Sequence, residues 1–392
     1  MKQLRIPATY MRGGTSKGVF FRAEDLPVDR SQRDRLLMRV IGSPDRYGKH
    51  IDGMGGATSS TSKVVIVSRS ARSDSDVGYL FGAVAVGEPV IDWSGNCGNL
   101  TAAVGPFAIH AGLIDAPSDG LRVVRIWQSN IQRRIIAHVP MSGGTVQELG
   151  DFELDGIPFP AAEIALEFLD PASEEPGEVG GAMFPSGSRM DTLQIPGFGP
   201  IEATLINAGN PAIFVDASSL GFKGTELQSE VNSRSDLLTL AEAVRAQGAV
   251  AMGLVASAAD ATARRPHTPK LAFVSKPQSY VASDGKRVEN GDVDILARIF
   301  SMGQLHHAMT GTGAVAIAAA AAIPGTVVHR VASLDAQGFI RFGHPSGVLR
   351  VGARAESVGQ DWRVAKVTMS RTARRLMEGW VCVPMQEDGS QL

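Results

Sequence analysis

Only two cysteines are spread over 392 residues. Cys97 and Cys382 stand far apart and form no metal or redox motif, and so little cysteine fits a reducing cytoplasm, although one disulfide between them stays open. Charge of one sign is equally scarce: 38 Lys and Arg against 40 Asp and Glu leave a net −2 with no long run of either. Nothing in that balance calls for a nucleic-acid or membrane-surface partner, and neither is expected. The longest apolar stretch, Ala314 to Pro324, is too short and too alanine-rich to span a bilayer. Met1 to Pro7 lacks the apolar core of a signal peptide. No P-loop, dinucleotide fingerprint or nucleophile elbow occurs. His306-His307 bring no third ligand at metal spacing, so hydrogen bonding or acid–base assistance is expected of them, not a metal.

What is there is an ordinary globular composition, 44% apolar and 20% charged, long enough for two domains. The 44 glycines cluster in short polar loops, which suits backbone N–H groups that approach a ligand closely. Cys97 lies in Gly95-Asn96-Cys97-Gly98-Asn99, directly before the small-residue apolar run Thr101 to Ala111. This reads as a thiol at the mouth of a buried helix, where unpaired N–H groups favour an anion and a thiolate. A free cysteine alone is commonly a small buried hydrophobe. The flanking glycines and asparagines argue for more.

The chain echoes itself in three landmarks that recur in order. A strand, a glycine-bearing polar loop and a second strand occur at Ala8 to Phe21 and at Ala203 to Val215. A lysine opens a β-branched run at Lys63 and again at Lys270. The helix mouth at Gly95 to Asn99 is matched by Met309-Thr310-Gly311-Thr312-Gly313, with Thr312 at about the place of Cys97. Both following helices are apolar all round, so both are expected to be buried. Two such halves would aim two positive helix ends into one cleft, which fits a substrate with several carboxylates. Elsewhere, Asp29 to Ile41 reads as an amphipathic helix, and Ser235 to Gln247 as a helix stopped by Gly248. Strands are expected at Val77–Val86, Arg122–Trp127, Arg134–Val139 and Val348–Val351. Glu163 to Gly181 reads as a surface linker or lid.

Lys63 follows a loop of glycines and hydroxyls, Gly53 to Ser62. An edge lysine is its bland reading; a lysine desolvated in a cleft is a usable base. Arg12 and Lys17 flank Gly13-Gly14-Thr15-Ser16, and cations beside exposed N–H and O–H groups suit carboxylates, the alternative being a plain hairpin turn.

On Tyr10 to Gly18, Ser62-Lys63, Gly95 to Asn99 and Met309 to Gly313, the chain resembles the PrpF family of 2-methylaconitate cis–trans isomerases. The resemblance implies an α/β (α+β) diaminopimelate epimerase-like fold: two pseudo-symmetric domains, each a curved, mostly antiparallel sheet around a central apolar helix, with the active site in the cleft between them. The glycine-and-hydroxyl segment Met183 to Arg189 puts the start of the second domain near residue 185, giving domains over 1–184 and 185–371, and the resemblance allows the tail from about 372 to 392 to return to the first. It implies no metal and no organic cofactor. The family's catalytic lysine and cysteine fall on Lys63 and Cys97. The expected substrate-binding set is Arg12, Thr15, Ser16, Lys17, Ser62, Asn96, Gly98, Asn99, Asn210, Lys270, Gly311, Thr312 and Gly313. Diaminopimelate epimerases carry a second cysteine where this chain has Thr312, which argues against two-thiol racemisation. The expected activity is isomerisation of an unsaturated tricarboxylate, with 4-oxalomesaconate tautomerase and itaconate-type Δ-isomerase as alternatives. A non-catalytic accessory protein for an aconitase-type dehydratase is the rival class. The expected partners are the tricarboxylate, such a dehydratase in functional pairing, and a second copy in a homodimer.

Overall fold

The β-branched runs become strands, and all of the described strands but the short pair Tyr280–Val281 and Arg287–Val288 join into one continuous mixed sheet. The computed structural model describes residues 3–172, 182–332, 338–359 and 361–384.

The chain pairs its strands by the same rule twice. Gln3–Gly13 and Ser16–Arg22 form a hairpin; Ser16–Arg22 runs parallel to Lys63–Arg69, which is antiparallel to Val77–Val84. Val77–Val84 is parallel to Gly120–Gln128, which is antiparallel to Arg133–Ser142. Later, Gly199–Ala208 and Asn210–Asp216 form a hairpin, followed by a parallel pairing with Lys270–Ser275 and an antiparallel one with Ile295–Ser301. A parallel pairing with Phe339–His344 and an antiparallel one with Gly347–Val358 complete the second series. In each series a buried helix lies in the last parallel crossover: Gly98–His110 in the first, Gly311–Ala321 in the second. Identical pairing order is the topology of a duplicated unit.

Each helix is buried because its residues leave no polar face. Every residue from Gly311 to Ala321 is buried, and so is every residue from Gly98 to Ala108. Alanine and glycine let the sheet strands approach closely, while Phe107 fills the wider gap against Phe20 with ring centroids 5.5 Å apart. One apolar cluster contains residues of both helices. The series are stitched by Ile164–Leu169, which pairs with Arg133–Ser142 and with Asp361–Arg371. After Thr372 the chain turns back, and Ala373–Pro384 runs antiparallel to Gln3–Gly13; residues 385–392 of the expected returning tail lie outside the described residues.

Two local expectations are corrected. Glu163 to Gly181 is not all linker: the alternation of Ile164, Leu166 and Phe168 into the core makes Ile164–Leu169 a strand, and 173–181 lie outside the described residues. Gly248 does not stop its helix, which runs Ser235–Ala251. A Cβ there would stand 2.2 Å from Ile213 Cδ1, so this glycine serves close helix–sheet packing. The helix over Arg30–Ile41 matches its signals: Asp29 Oδ1 accepts from Gln32 N at 2.8 Å, and Gly42 closes it at φ 87°. Among the described residues no helix is long and apolar enough to cross a membrane, and no group of three or more His, Cys, Asp or Glu could hold a metal.

Candidate active site

The two buried helices meet mouth to mouth. A Cβ on Gly98 would stand 2.7 Å from Gly311 C, and one on Gly311 would stand 2.4 Å from Gly98 C. Backbone faces backbone, so only glycine fits on either side. Both glycines open their helices, which makes Cys97 and Thr310 the two N-caps. Cys97 Sγ accepts from Leu100 N at 3.5 Å, and Thr310 Oγ1 from Gly313 N at 3.1 Å. The counterpart of Cys97 is therefore Thr310, and the expectation for Thr312 is corrected. Thr312 matches Asn99. Asn99 Nδ2 donates to Thr15 Oγ1 at 3.0 Å and to Met309 O at 3.2 Å; Asn210 Nδ2 donates to Thr312 Oγ1 at 3.1 Å and to Asn96 O at 2.9 Å. The same pattern is made twice with residue types exchanged: one bond of each asparagine stays within its half, and the other, to Met309 O or to Asn96 O, crosses to the opposite half.

Lys63 stands over Cys97. Its Nζ lies 3.2 Å from Cys97 Sγ and 3.0 Å from Ser16 Oγ, and both Lys63 and Cys97 are 6% exposed. Strand alternation places them: Ser16, Lys63 and Val65 point to the helix, Val19 and Val64 away from it. An ammonium at this depth needs an anion or strong acceptors to offset desolvation, and a thiolate supplies one. The Cys97 carbonyl is held by Tyr79 Oη at 3.3 Å and Thr101 Oγ1 at 3.0 Å, which fixes the thiol's backbone. Burial pushes the Tyr79 phenol well above its ordinary range, with the Cys97 charge adding to it, so Tyr79 stays protonated and keeps the hydrogen it donates to the Cys97 carbonyl.

Across the mouth lies the second lysine. Lys270 Nζ donates to Ser301 Oγ at 2.8 Å and to His267 Nδ1 at 3.2 Å. His267 Nε2 then donates to Asn96 O at 3.3 Å. This fixes a neutral His267, and burial followed by Lys270 and Lys63 holds it well below the usual histidine range. Burial first, then the Lys63 charge, bring Lys270 down to about 7, while Asp92 acts in the opposite direction. Asn96 is fully buried beside the thiol, and among the described residues neither its Nδ2 nor its Oδ1 has a hydrogen-bond partner. An amide left so costs about 1–3 kcal/mol, so a donor and an acceptor stand ready for a ligand.

The structure thus brings together Lys63, Cys97, Ser16, Thr15, Asn96, Gly98, Asn99, Asn210, Lys270, Gly311 and Thr312. It does not bring Arg12, Lys17, Ser62 or Gly313 to the thiol. Arg12 and Lys17 pair across the hairpin on its other face. Arg12 Nη1 holds Thr372 O at 3.0 Å and Thr372 Oγ1 at 2.8 Å, and Lys17 sits 5.5 Å over the Tyr10 ring. Ser62 lies 3.2 Å from His50 Nδ1 in the supporting loop. Gly313 is a packing glycine, since a Cβ would stand 2.4 Å from Ile299 Cδ1.

Arg371 was missed by sequence reasoning. It is fully buried and forms no ion pair among the described residues; its Nε donates to Asn99 Oδ1 at 3.0 Å. Burial brings the guanidinium down to about 10, and the Cys97 charge offsets part of that. Its signal was an arginine continuing the inward alternation Val367, Met369.

A cavity of about 790 Å³ lies against this centre, walled by residues 57–60 and 84–88 on one side and by 262–263, 301–302 and 304–307 on the other. Ser60 and Ser301 belong to its wall; Lys63 and Cys97 do not line it.

The chain matches the model of the family described as "PrpF protein" over residues 3–384. It is 61% identical to the 2-methyl-aconitate isomerase of Cupriavidus necator, covering 97% of this chain and 98% of that one. It is 59% identical to the 2-methyl-aconitate isomerase of Shewanella oneidensis, with the same coverage. The 4-oxalomesaconate tautomerase of Pseudomonas putida is 38% identical over 98% of this chain and 97% of its own. Among solved structures, a methylitaconate-delta-isomerase superposes with TM-score 0.75 at 37% identity, over 98% of this chain and 96% of that one. A probable proline racemase from Agrobacterium radiobacter superposes with TM-score 0.56 at 12% identity, over 97% and 93%, and shares the fold alone.

Proposed function

Because the chain belongs to the PrpF family, we propose that it is an isomerase of unsaturated tricarboxylates whose substrate is 2-methylaconitate. The supporting comparison is the step from about 60% identity with two 2-methyl-aconitate isomerases to 38% with a tautomerase. The observation that carries the chemistry is the buried contact of 3.2 Å between Lys63 Nζ and Cys97 Sγ at a helix mouth.

In such a substrate the proton on a carbon beside both a carboxylate and the C=C bond is acidified by both. A proton passed across the 3.2 Å contact turns the ammonium–thiolate pair into amine and thiol; Lys63, as the amine, then removes the substrate proton and becomes ammonium. The electron pair spreads over the diene and its carboxylate as a dienolate. Bond order falls where the double bond was, and the skeleton rotates there. Return of the proton to the same carbon gives the geometric isomer; return to the far end of the allyl system gives a shifted alkene. Cys97 is the acid or the electrostatic partner of Lys63 in this general acid–base cycle. The helix-mouth N–H groups and the Asn96 amide stabilise the dienolate, the preorganised-donor role that usually contributes most. Lys270 and its histidine hold a substrate carboxylate. With neither metal nor organic cofactor called on, the enzyme would serve propionate breakdown by the methylcitrate cycle in the cytoplasm, in functional pairing with an aconitase-type dehydratase. A homodimer completes the proposal.

The test is proton exchange in D₂O, followed by NMR, with 2-methylaconitate, aconitate and oxalomesaconate in parallel. The proposal expects exchange and isomerisation with 2-methylaconitate above the other two. Faster turnover of oxalomesaconate would move the chain to the tautomerases. No exchange with any of them, together with restored activity of an added dehydratase, would make it an accessory protein.

A further inference from the structure

The pair His306-His307 stands at the cavity wall with its protons assigned by geometry. His306 Nδ1 accepts from Ala308 N at 3.1 Å, so its proton is on Nε2. That Nε2 donates to Ser60 Oγ at 3.0 Å. Ser60 then has one hydrogen left, and His307 Nδ1 lies 3.2 Å from the same oxygen to accept it. With that hydrogen directed to its Nδ1, His307 is the Nε2–H tautomer. Its ring stacks on His306, with centroids 4.6 Å apart, and its backbone is held by Ser346 Oγ, which donates to the His307 carbonyl at 2.6 Å. Burial, then the Lys63 charge, keep His307 below the ordinary histidine range, so the ring is a neutral donor beside the cavity. Ser60 belongs to the loop that leads into Lys63, while the histidines come from the other half.

We propose that His307 Nε2–H, set by the Ser60–His306 chain, is the donor for a carboxylate remote from the reacting carbon, and so selects tricarboxylates over dicarboxylates. The inference rests on the isomerase reading for its ligand class. A fixed N–H donor spends no reorganisation on binding. Losing one hydrogen bond to a charged acceptor weakens binding about 10- to 100-fold.

Calorimetry with tricarballylate and glutarate, two non-reacting probes, tests it. His307→Leu should weaken tricarballylate about 10- to 100-fold and leave glutarate within about twofold. His307→Gln, which keeps an amide N–H near the Nε2 position, should restore most of the loss. Ser60→Ala removes the proton assignment and should weaken tricarballylate selectively without removing a ring. Equal weakening of both probes, no weakening in any variant, or a wild type that does not prefer tricarballylate overturns the proposal. Selective tricarballylate binding without proton exchange on any unsaturated acid would sink the isomerase reading and leave this one standing.

Discussion

Gly311→Ala is the sharpest perturbation of the architecture. The new Cβ would stand 2.4 Å from Gly98 C, 2.6 Å from Asn99 N and 2.7 Å from Gly98 Cα, where ordinary contact begins at 3.4 Å. The shortfall, 3.4 − 2.4, is 1.0 Å. All three atoms are backbone of the opposing helix mouth, so no flexible side chain can yield. One helix must retreat by about an ångström or tilt. Overpacking of this kind costs about 1–3 kcal/mol. The higher helix propensity of alanine returns at most about 1 kcal/mol. The catalytic cost is larger, because about 1 Å of misplacement at reacting groups costs on the order of a hundredfold. Urea unfolding and kcat/KM for 2-methylaconitate would be measured beside Gly291→Ala, where a Cβ meets nothing within 4 Å. Gly291→Ala should behave as wild type, and Gly311→Ala should lose about 1–2 kcal/mol and two orders of magnitude in kcat/KM. A Gly311→Ala protein with wild-type activity, or one stabilised as a plain helix substitution, would refute the abutting mouths.

Three further outcomes follow from the same geometry. Arg371→Met should lower kcat more than it raises KM, because the arginine orients Asn99 and adds positive charge near Cys97 without touching substrate; in an Asn99→Ala background its further effect should be small, and additivity in this double-mutant cycle counts against it. Lys270 titrates near 7 in the folded protein and at 10.5 ordinarily, so between these values the unfolded chain binds more protons and stability rises with pH. The stability difference between wild type and Lys270→Met should therefore grow in favour of wild type from pH 7 to 10, and a pH-independent difference speaks against a buried neutral lysine. His344, brought down to about 3 by burial and then by Arg298 and Arg371, resists protonation that the unfolded chain accepts near 6.5; stability should fall as pH drops from 6.5 toward 3, less so in His344→Gln, as acid titration by circular dichroism would read.

The landmarks legible in the sequence were those that repeat. Lysine at a strand start and glycine at a helix mouth recur with fixed order, and the pairing rule of the sheet follows that order. Register within a landmark was not legible. The second mouth offers Thr310 and Thr312 at cap-like positions, and only the Gly98–Gly311 contact shows which aligns with Cys97. Facing was half legible: alternation separates Lys17 from Ser16, but the cationic loop drew Arg12 and Lys17 into the site as a block. Arg371 lay some 270 residues from Asn99 in sequence, |i−j| = 272, and long-range contacts of that kind leave no local pattern beyond a charge at an inward position. Gly248 carried the ordinary stop signal, overridden by Ile213 packed against it.

The most direct measurement is ¹H NMR of 2-methylaconitate in D₂O with wild type, Lys63→Ala and Cys97→Ser. Wild type should interconvert the isomers with deuterium entering the carbon beside the double bond. Lys63→Ala should lose both processes by orders of magnitude while its circular dichroism stays native, and Cys97→Ser should lose turnover by a comparable factor. Interconversion at the wild-type rate in either variant, or interconversion with no deuterium entering at any carbon, would contradict proton transfer by the buried Lys63–Cys97 pair.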